Sequence, residues 1–407
     1  MRPKLLPFAS PFFGEEEIAE VSDTLRSDWI TTGPKVKRFE QEFATMIGAP
    51  DALALSSCTA ALHISLKALG IGPGDVVLTT PMNFCAGINA IEHVGARPIL
   101  VDVEPDTLNL DPAELRRTLE ELKRRGDGGH PKAIIAVHLH GHPCAMDAIL
   151  AIAREYGLAV IEDAAHALPA RYHGRLIGSP LTSAGVPILT CYSFYATKNL
   201  TTGEGGMLVA ARELVDEARD WSLHGMSRDA WKRYGADGSW YYEVTRPGFK
   251  YNMMDIQAAL GLHQLRKLPR FWARRVEIAE RYNAAFSGMK EFQTPAHRPE
   301  IEHAWHLYAL RVNSGRLGLS RDRFIEELRA RNIATSVHFI PIHLHPYYRD
   351  KYGYAPDDFS VAYREYQRMV SLPLYPRMND RDVEDVIEAV FGIVSTRERR
   401  NLLTAKL

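Results

Sequence analysis

The apolar positions change period along the chain. Over residues 15–27 (EEEIAEVSDTLRS) they recur every three to four residues, which predicts an amphipathic helix. WITTGPKV reads as a loop and KRFEQEFATMIG as a second helix. From residue 52 the texture alternates. LALS predicts a short strand and TAALHISLKALG a helix. DVVLTT, RPILVDV, KAIIAVHLH and LAVIEDA are short apolar runs rich in Val and Ile. Between most of them lie CAGINAIEHVG, PAELRRTLEELKRRG and AMDAILAIAREYG, which carry the helical period. Apolar strands alternating with helices predict an α/β domain whose mostly parallel sheet is covered on both faces. Ligands of such sheets bind beyond the carboxyl ends of the strands, so the loops there are where chemistry is expected.

After about residue 255 the pattern changes. A long helical run, interrupted near Pro269, leads into AWHLYALRV (strand), RDRFIEELRARN (helix), ATSVHF (strand) and DRDVEDVIEAVFGIV (helix). The expected division is a large domain over 1–255 and a smaller α+β domain over 256–407, with the long helix as hinge.

Bulk properties narrow the function. With 407 residues and 46% apolar content, the chain can bury a large core. A formal net charge of -1 gives no basic excess for nucleic acid and no acidic tail. No apolar run reaches 18 residues, and MRPKLLPFASPFFGEEE has no leader-like apolar stretch. A cytoplasmic protein with no membrane partner is expected. The four cysteines form no CxxC pair, which fits reduced thiols.

Several motifs invite a functional reading. GIGPGD follows a helix and precedes a strand, the reverse of a dinucleotide loop, and reads as a helix end and turn. HLHGH puts His138 and His140 on one face of a predicted strand. With no carboxylate or cysteine at matching spacing there, and none for the histidines of HFIPIHLHPYY, no metal site is expected. SSCTAALH opens a helix with small hydroxylated residues, suiting an N-cap and, through free N–H groups, an anion. Cys58 at that helix start is a candidate for a lowered thiol pKa. VIEDAAHA puts Glu162, Asp163 and His166 at a strand's carboxyl end, where a buried acid suits a cationic ligand group. LTCYSFY reads as a strand ending at Lys198, ringed by Ser193, Thr197 and Thr201. Desolvation and a nearby cation would free its amine as a nucleophile. Anion site, buried acid and lysine, in this order, match the three needs of pyridoxal phosphate (PLP): phosphate, pyridinium nitrogen and aldehyde.

Together SSCTAALH, PMNFCAGINAIEHVGARPILVDVEPDTLNLDP, VIEDAAHA, SFYATKNLTTGEGGML and GFKYNMMDIQAALGLHQL resemble the DegT/DnrJ/StrS family of sugar aminotransferases, over about residues 8–395. The resemblance implies an aspartate-aminotransferase-like fold (PLP fold type I) and a homodimer with shared active sites. It implies amine transfer, usually from glutamate, to a nucleotide-linked keto sugar. By position, Lys198 resembles the Schiff-base lysine, Asp163 the pyridinium partner and His166 the residue bonding the ring hydroxyl. Phe84 resembles the aromatic stacked on the ring, Cys58 and Thr59 the phosphate-binding amides, and Ser193 the hydroxyl beside them. Lys250, in GFKYN, resembles the segment reaching the phosphate from the other subunit. Cys58 stands where Gly or Ala is commoner, Tyr195 where His is, and Lys250 where Asn is. The dehydratases of this fold carry His at position 198, so Lys198 marks a transaminase.

Sugar contacts are expected from WITTG (Trp29, Thr32) and from VHFIPIHLHPYY (His338, Tyr347). Other stretches resemble two branches, one acting on UDP-4-keto-pentoses and one on UDP-4-keto-6-deoxy-N-acetylhexosamines. The expectation is C4 amination of a UDP-4-keto sugar with glutamate/2-oxoglutarate, for cell-surface polysaccharide, lipid A or glycan biosynthesis. The alternatives are C3 of a dTDP- or GDP-keto sugar, a PLP lyase or dehydratase, and a non-catalytic regulatory member.

Overall fold

A computed structural model describes residues 2–126, 129–180, 185–226 and 241–404. Its centre is a seven-stranded sheet in the order β1 (Asp51–Leu55), β9 (Gly206–Ala210), β8 (Ile188–Ser193), β5 (Ala159–Asp163), β4 (His130–Val137), β2 (Asp75–Thr79), β3 (Arg97–Leu100). Only β9 runs against its neighbours. The helices α1 (Glu15–Arg26), α2 (Pro34–Ile47), α3 (Cys58–Ala68), α4 (Ala86–His93), α5 (Pro112–Arg125), α6 (Met146–Tyr156) and α7 (Arg212–Ser222) include the crossovers. Strand side chains alternate between two separate cores. Ile134, Ala136 and Val160 join one, and Ile135, Val137 and Ile161 the other, which accounts for the unbroken apolar runs.

The 32-residue helix α8 (Asp255–Phe286) runs straight through Pro269, where an interruption was expected. Leu268 and Phe271 on either side are buried. Packing along that face outweighs the missing N–H, a cost of about 3 kcal/mol. Beyond α8, β10 (Phe292–Gln293), β12 (Tyr308–Val312) and β13 (Met369–Leu372) form an antiparallel sheet with its own core. A third, minor sheet joins β6 (Arg171–Tyr172), β7 (Arg175–Leu176) and β11 (Ile301–Glu302). ATSVHF is not a strand; it makes one isolated bridge, Ser336 to Ser371. Among the described residues no helix is long and apolar enough to cross a membrane.

Candidate active site

The carboxyl ends of β1, β2, β4, β5 and β8 open on the same edge of the sheet, and each delivers part of the site. After β1 the chain enters α3, where the Ser57 side chain accepts the Ala60 N–H at 3.1 Å. The Ser57 carbonyl takes the Ala61 N–H. The amides of Cys58 and Thr59 therefore find no partner among the described residues and remain as donors at the positive end of the helix. Gly206 packs against this turn. A Cβ there would lie 2.4 Å from the Ser57 carbonyl carbon and 2.6 Å from the Cys58 nitrogen. Gly206 in turn pairs with Ser193, the last residue of β8.

Asp163 ends β5. It is 5% exposed, accepts the Ala165 N–H at 3.1 Å, and lies 3.5 Å from Asn83 Nδ2. Burial raises its pKa, while the Ala165 bond and Lys198 act against the rise. The neighbouring acid, Glu162, serves structure: it receives His138 Nε2 at 3.2 Å and the Thr190 hydroxyl. Of the two acids at this strand end, only Asp163 faces Lys198.

Strand β8 stops at Ser193, five residues before Lys198, so the lysine sits in a turn and not at the strand end. Thr201 accepts the Gly203 N–H and donates to the Phe194 carbonyl, while the Thr202 N–H returns to the same carbonyl. These bonds close the turn. Lys198 keeps some surface open to the cleft, yet protein surrounds its amine, and burial lowers its pKa to about 8. Among the described residues no cation contributes, contrary to expectation. Cys58 and Asp163 pull the other way, so desolvation alone frees the amine. The same burial overturns the expectation for Cys58. Its thiol is pushed well above the ordinary value by desolvation and then by Asp163 and Cys191, with only Lys198 acting against the rise.

The HLHGH histidines do not share a strand face. β4 ends at Val137, and His140 takes a left-handed turn conformation, φ 61°. His138 goes to Glu162, and His140 Nε2 donates to the His338 carbonyl at 2.9 Å. Among the described residues no group of three or more His, Cys, Asp or Glu is placed to hold a metal. His166 is buried, and its Nδ1 accepts the His140 N–H at 3.2 Å. Its ring stacks on Phe339 with centroids 5.8 Å apart, and Phe339 lies 6.0 Å from Phe84.

Around this floor runs an exposed rim. Phe84 is 59% and Tyr347 57% exposed. Trp29 Nε1 donates to the Thr32 carbonyl at 2.7 Å, and the Thr32 hydroxyl donates to the Met253 carbonyl. Asn252 links Thr32 (2.6 Å) to the exposed amine of Lys250 (2.7 Å). Sequence reasoning missed Asn252, and also Asp255, whose buried carboxylate collects the N–H groups of Gly33, Lys35 and Val36 and pins the loop. His338 is half-buried, with Nδ1 2.9 Å from the Ser371 hydroxyl and its ring on Phe8. The single chain does not bring Lys250 or Tyr347 into contact with Lys198.

Comparison with known proteins now decides the family. The DegT/DnrJ/EryC1/StrS aminotransferase family matches residues 11–391. The chain belongs to this family of PLP-dependent sugar aminotransferases. It is 51% identical to the spore coat polysaccharide biosynthesis protein SpsC of Bacillus subtilis, over 97% of this chain and 98% of that one. Among solved structures, the PLP form of the Streptococcus pneumoniae putative sugar aminotransferase Spr1654 superposes with a TM-score of 0.86 at 33% identity, covering 97% of this chain and 99% of the other. Helicobacter pylori PseC, an aminotransferase of pseudoaminic acid biosynthesis, gives 0.86 at 25% identity, covering 97% and 100%. The donor set fits the cofactor: unspent amides at a helix start, a buried acid and a desolvated lysine.

Proposed function

We propose that the protein transfers an amino group from glutamate to the C4 keto carbon of a UDP-linked sugar. One observation carries the reading. Lys198, its amine freed by burial, shares the sheet's carboxyl edge with Asp163 and with the unspent amides of Cys58 and Thr59. When bound, pyridoxal phosphate supplies the electron sink for a carbanion next to nitrogen. The chain supplies the rest. Cys58 N–H, Thr59 N–H and the Ser193 hydroxyl would hold the phosphate. Asp163 would keep the ring nitrogen protonated, and His166 would donate from Nε2 to the ring oxygen. Phe84 would cover one ring face. The neutral Lys198 amine removes the Cα proton of glutamate and later returns a proton to the sugar carbon that receives nitrogen.

Trp29, Thr32, His338 and Tyr347 are the proposed sugar contacts. Phe84, Tyr195, Met254 and Ile340 leave large apolar side chains exposed. That supports a second copy closing the site, with Lys250 reaching across to the phosphate; a cytoplasmic setting is part of the same proposal. SpsC, named for polysaccharide biosynthesis, supports a product destined for a surface glycan.

The test is spectroscopic. The purified protein with added pyridoxal phosphate should absorb at roughly 410–430 nm, and glutamate should move the band toward about 330 nm. UDP-4-keto sugars should restore it faster than dTDP- or GDP-linked ones. A band that ignores glutamate would overturn the transaminase reading, and restoration by a dTDP sugar alone would overturn the nucleotide.

A further inference from the structure

The turn at residues 303–307 enters the site from beyond α8; its sequence reads as the start of a strand, which begins only at Tyr308. It is tied down at both ends. Ala304 N–H donates to the Gly141 carbonyl at 2.9 Å and Leu307 N–H to the His140 carbonyl at 3.1 Å. Arg275, buried within α8, donates to the carbonyls of Trp305 and His306. These ties deliver the His306 ring to two residues of the site. Its Nδ1 lies 3.2 Å from Asn199 Oδ1, and its ring lies on that of His166, with centroids 4.4 Å apart.

The partners fix the tautomers. The backbone N–H of His140 only donates, so His166 Nδ1 accepts, and neutral His166 carries its proton on Nε2. Asn199 spends Nδ2 on the carbonyls of Leu168 and Ala304, at 2.8 and 2.9 Å. Its Oδ1 is therefore the acceptor, and His306 Nδ1 carries the proton.

We infer that His306 is a positioning residue of the cofactor site. It holds Asn199, the residue after Lys198, and the ring of His166 as one unit, so that the lysine amine and the Nε2–H of His166 are offered together. The inference rests on the pyridoxal reading above. His306 does not touch the cofactor in this account; it acts through its two neighbours.

Both rings stay neutral in the folded protein. Burial holds His166 well below the ordinary histidine range, and the charges of Lys198, His140 and His338 add to it. Burial does the same for His306, with His166, Lys198, Arg275 and His338 adding. Removing the His306 ring opens an imidazole-sized space beside His166. Water entering there relieves the desolvation, and His166 moves back toward about 6.5.

The experiment compares wild type, His306→Ala and His306→Asn, titrating each apoprotein with pyridoxal phosphate between pH 5.5 and 8. His306→Ala should raise the Kd about tenfold, the loss of one such bond and one ring contact. The Kd ratio of variant to wild type should change with pH between about 5.5 and 7, as His166 becomes protonatable. His306→Asn keeps an N–H near Asn199 and should recover part of the affinity, and it carries the test if the alanine variant does not fold. A Kd within about twofold of wild type in the folded variants, or a ratio flat with pH, overturns the inference. A wild type with no band near 410–430 nm fails the pyridoxal reading itself, and this inference with it.

Discussion

The floor of the cleft and its rim are built by opposite means. On the floor, Asp163 and His166 are 5% and 7% exposed, and each accepts a backbone N–H, from Ala165 and His140 respectively. On the rim, Phe84 and Tyr347 are more than half exposed, and the Lys250 amine donates to Asn252. Buried groups acquire shifted titration and fixed tautomers from their surroundings. Exposed groups acquire neither until something covers them. The proposed chemistry therefore lies on the floor, and the proposed sugar contacts lie on the rim.

The largest effect belongs to the floor. Lys198→Ala removes the proposed general base and cofactor-bonding amine, so turnover should fall by at least about 10⁴-fold in a coupled 2-oxoglutarate assay. Residual activity near wild type would break the distinction at once. Asp163→Asn should cost about 10²–10³-fold in kcat, as for other groups that stabilise developing charge. Its melting temperature should hold or rise, because a carboxylate raised by burial is costly to keep ionised. A loss of stability matching the loss of rate would make Asp163 a structural residue.

A smaller effect concerns pH. The neutral amine is the nucleophile, and the Lys198 amine titrates near 8, against 10.5 for an ordinary lysine. The rate of pyridoxal phosphate capture should climb as pH rises toward about 8 and level off above it. A rate still climbing at pH 10 would mean the amine is not desolvated. Smallest is the rim. Tyr347→Ala should raise KM for the sugar nucleotide severalfold, with kcat within about twofold, since it removes binding without touching the chemistry. A fall in kcat alone would move Tyr347 onto the floor.

The same contrast decides what could be read from sequence. Short apolar runs, the Ser57 cap and the acid at the end of LAVIEDA are local signals, and β1 to β5, α3 and Asp163 stand where those signals put them. What escaped depends on contacts distant in sequence. His138 leaves the strand pattern for Glu162, 24 residues on, and His306 meets Asn199 across 107. Pro269 reads locally as a break, and only the packing of α8 shows otherwise. Cys58 looks reactive at a helix start until its burial is known. The rim residues were legible only through family resemblance, because exposed side chains leave no periodic trace.

The central claim is that Lys198 carries the reactive amine. The most direct test is to load the protein with pyridoxal phosphate, reduce it with borohydride, and locate the fixed cofactor by peptide mass spectrometry. The account predicts one modified residue, Lys198, and protection of that site when glutamate is added before reduction. Label spread over exposed lysines, with Lys198 unmodified, would contradict it.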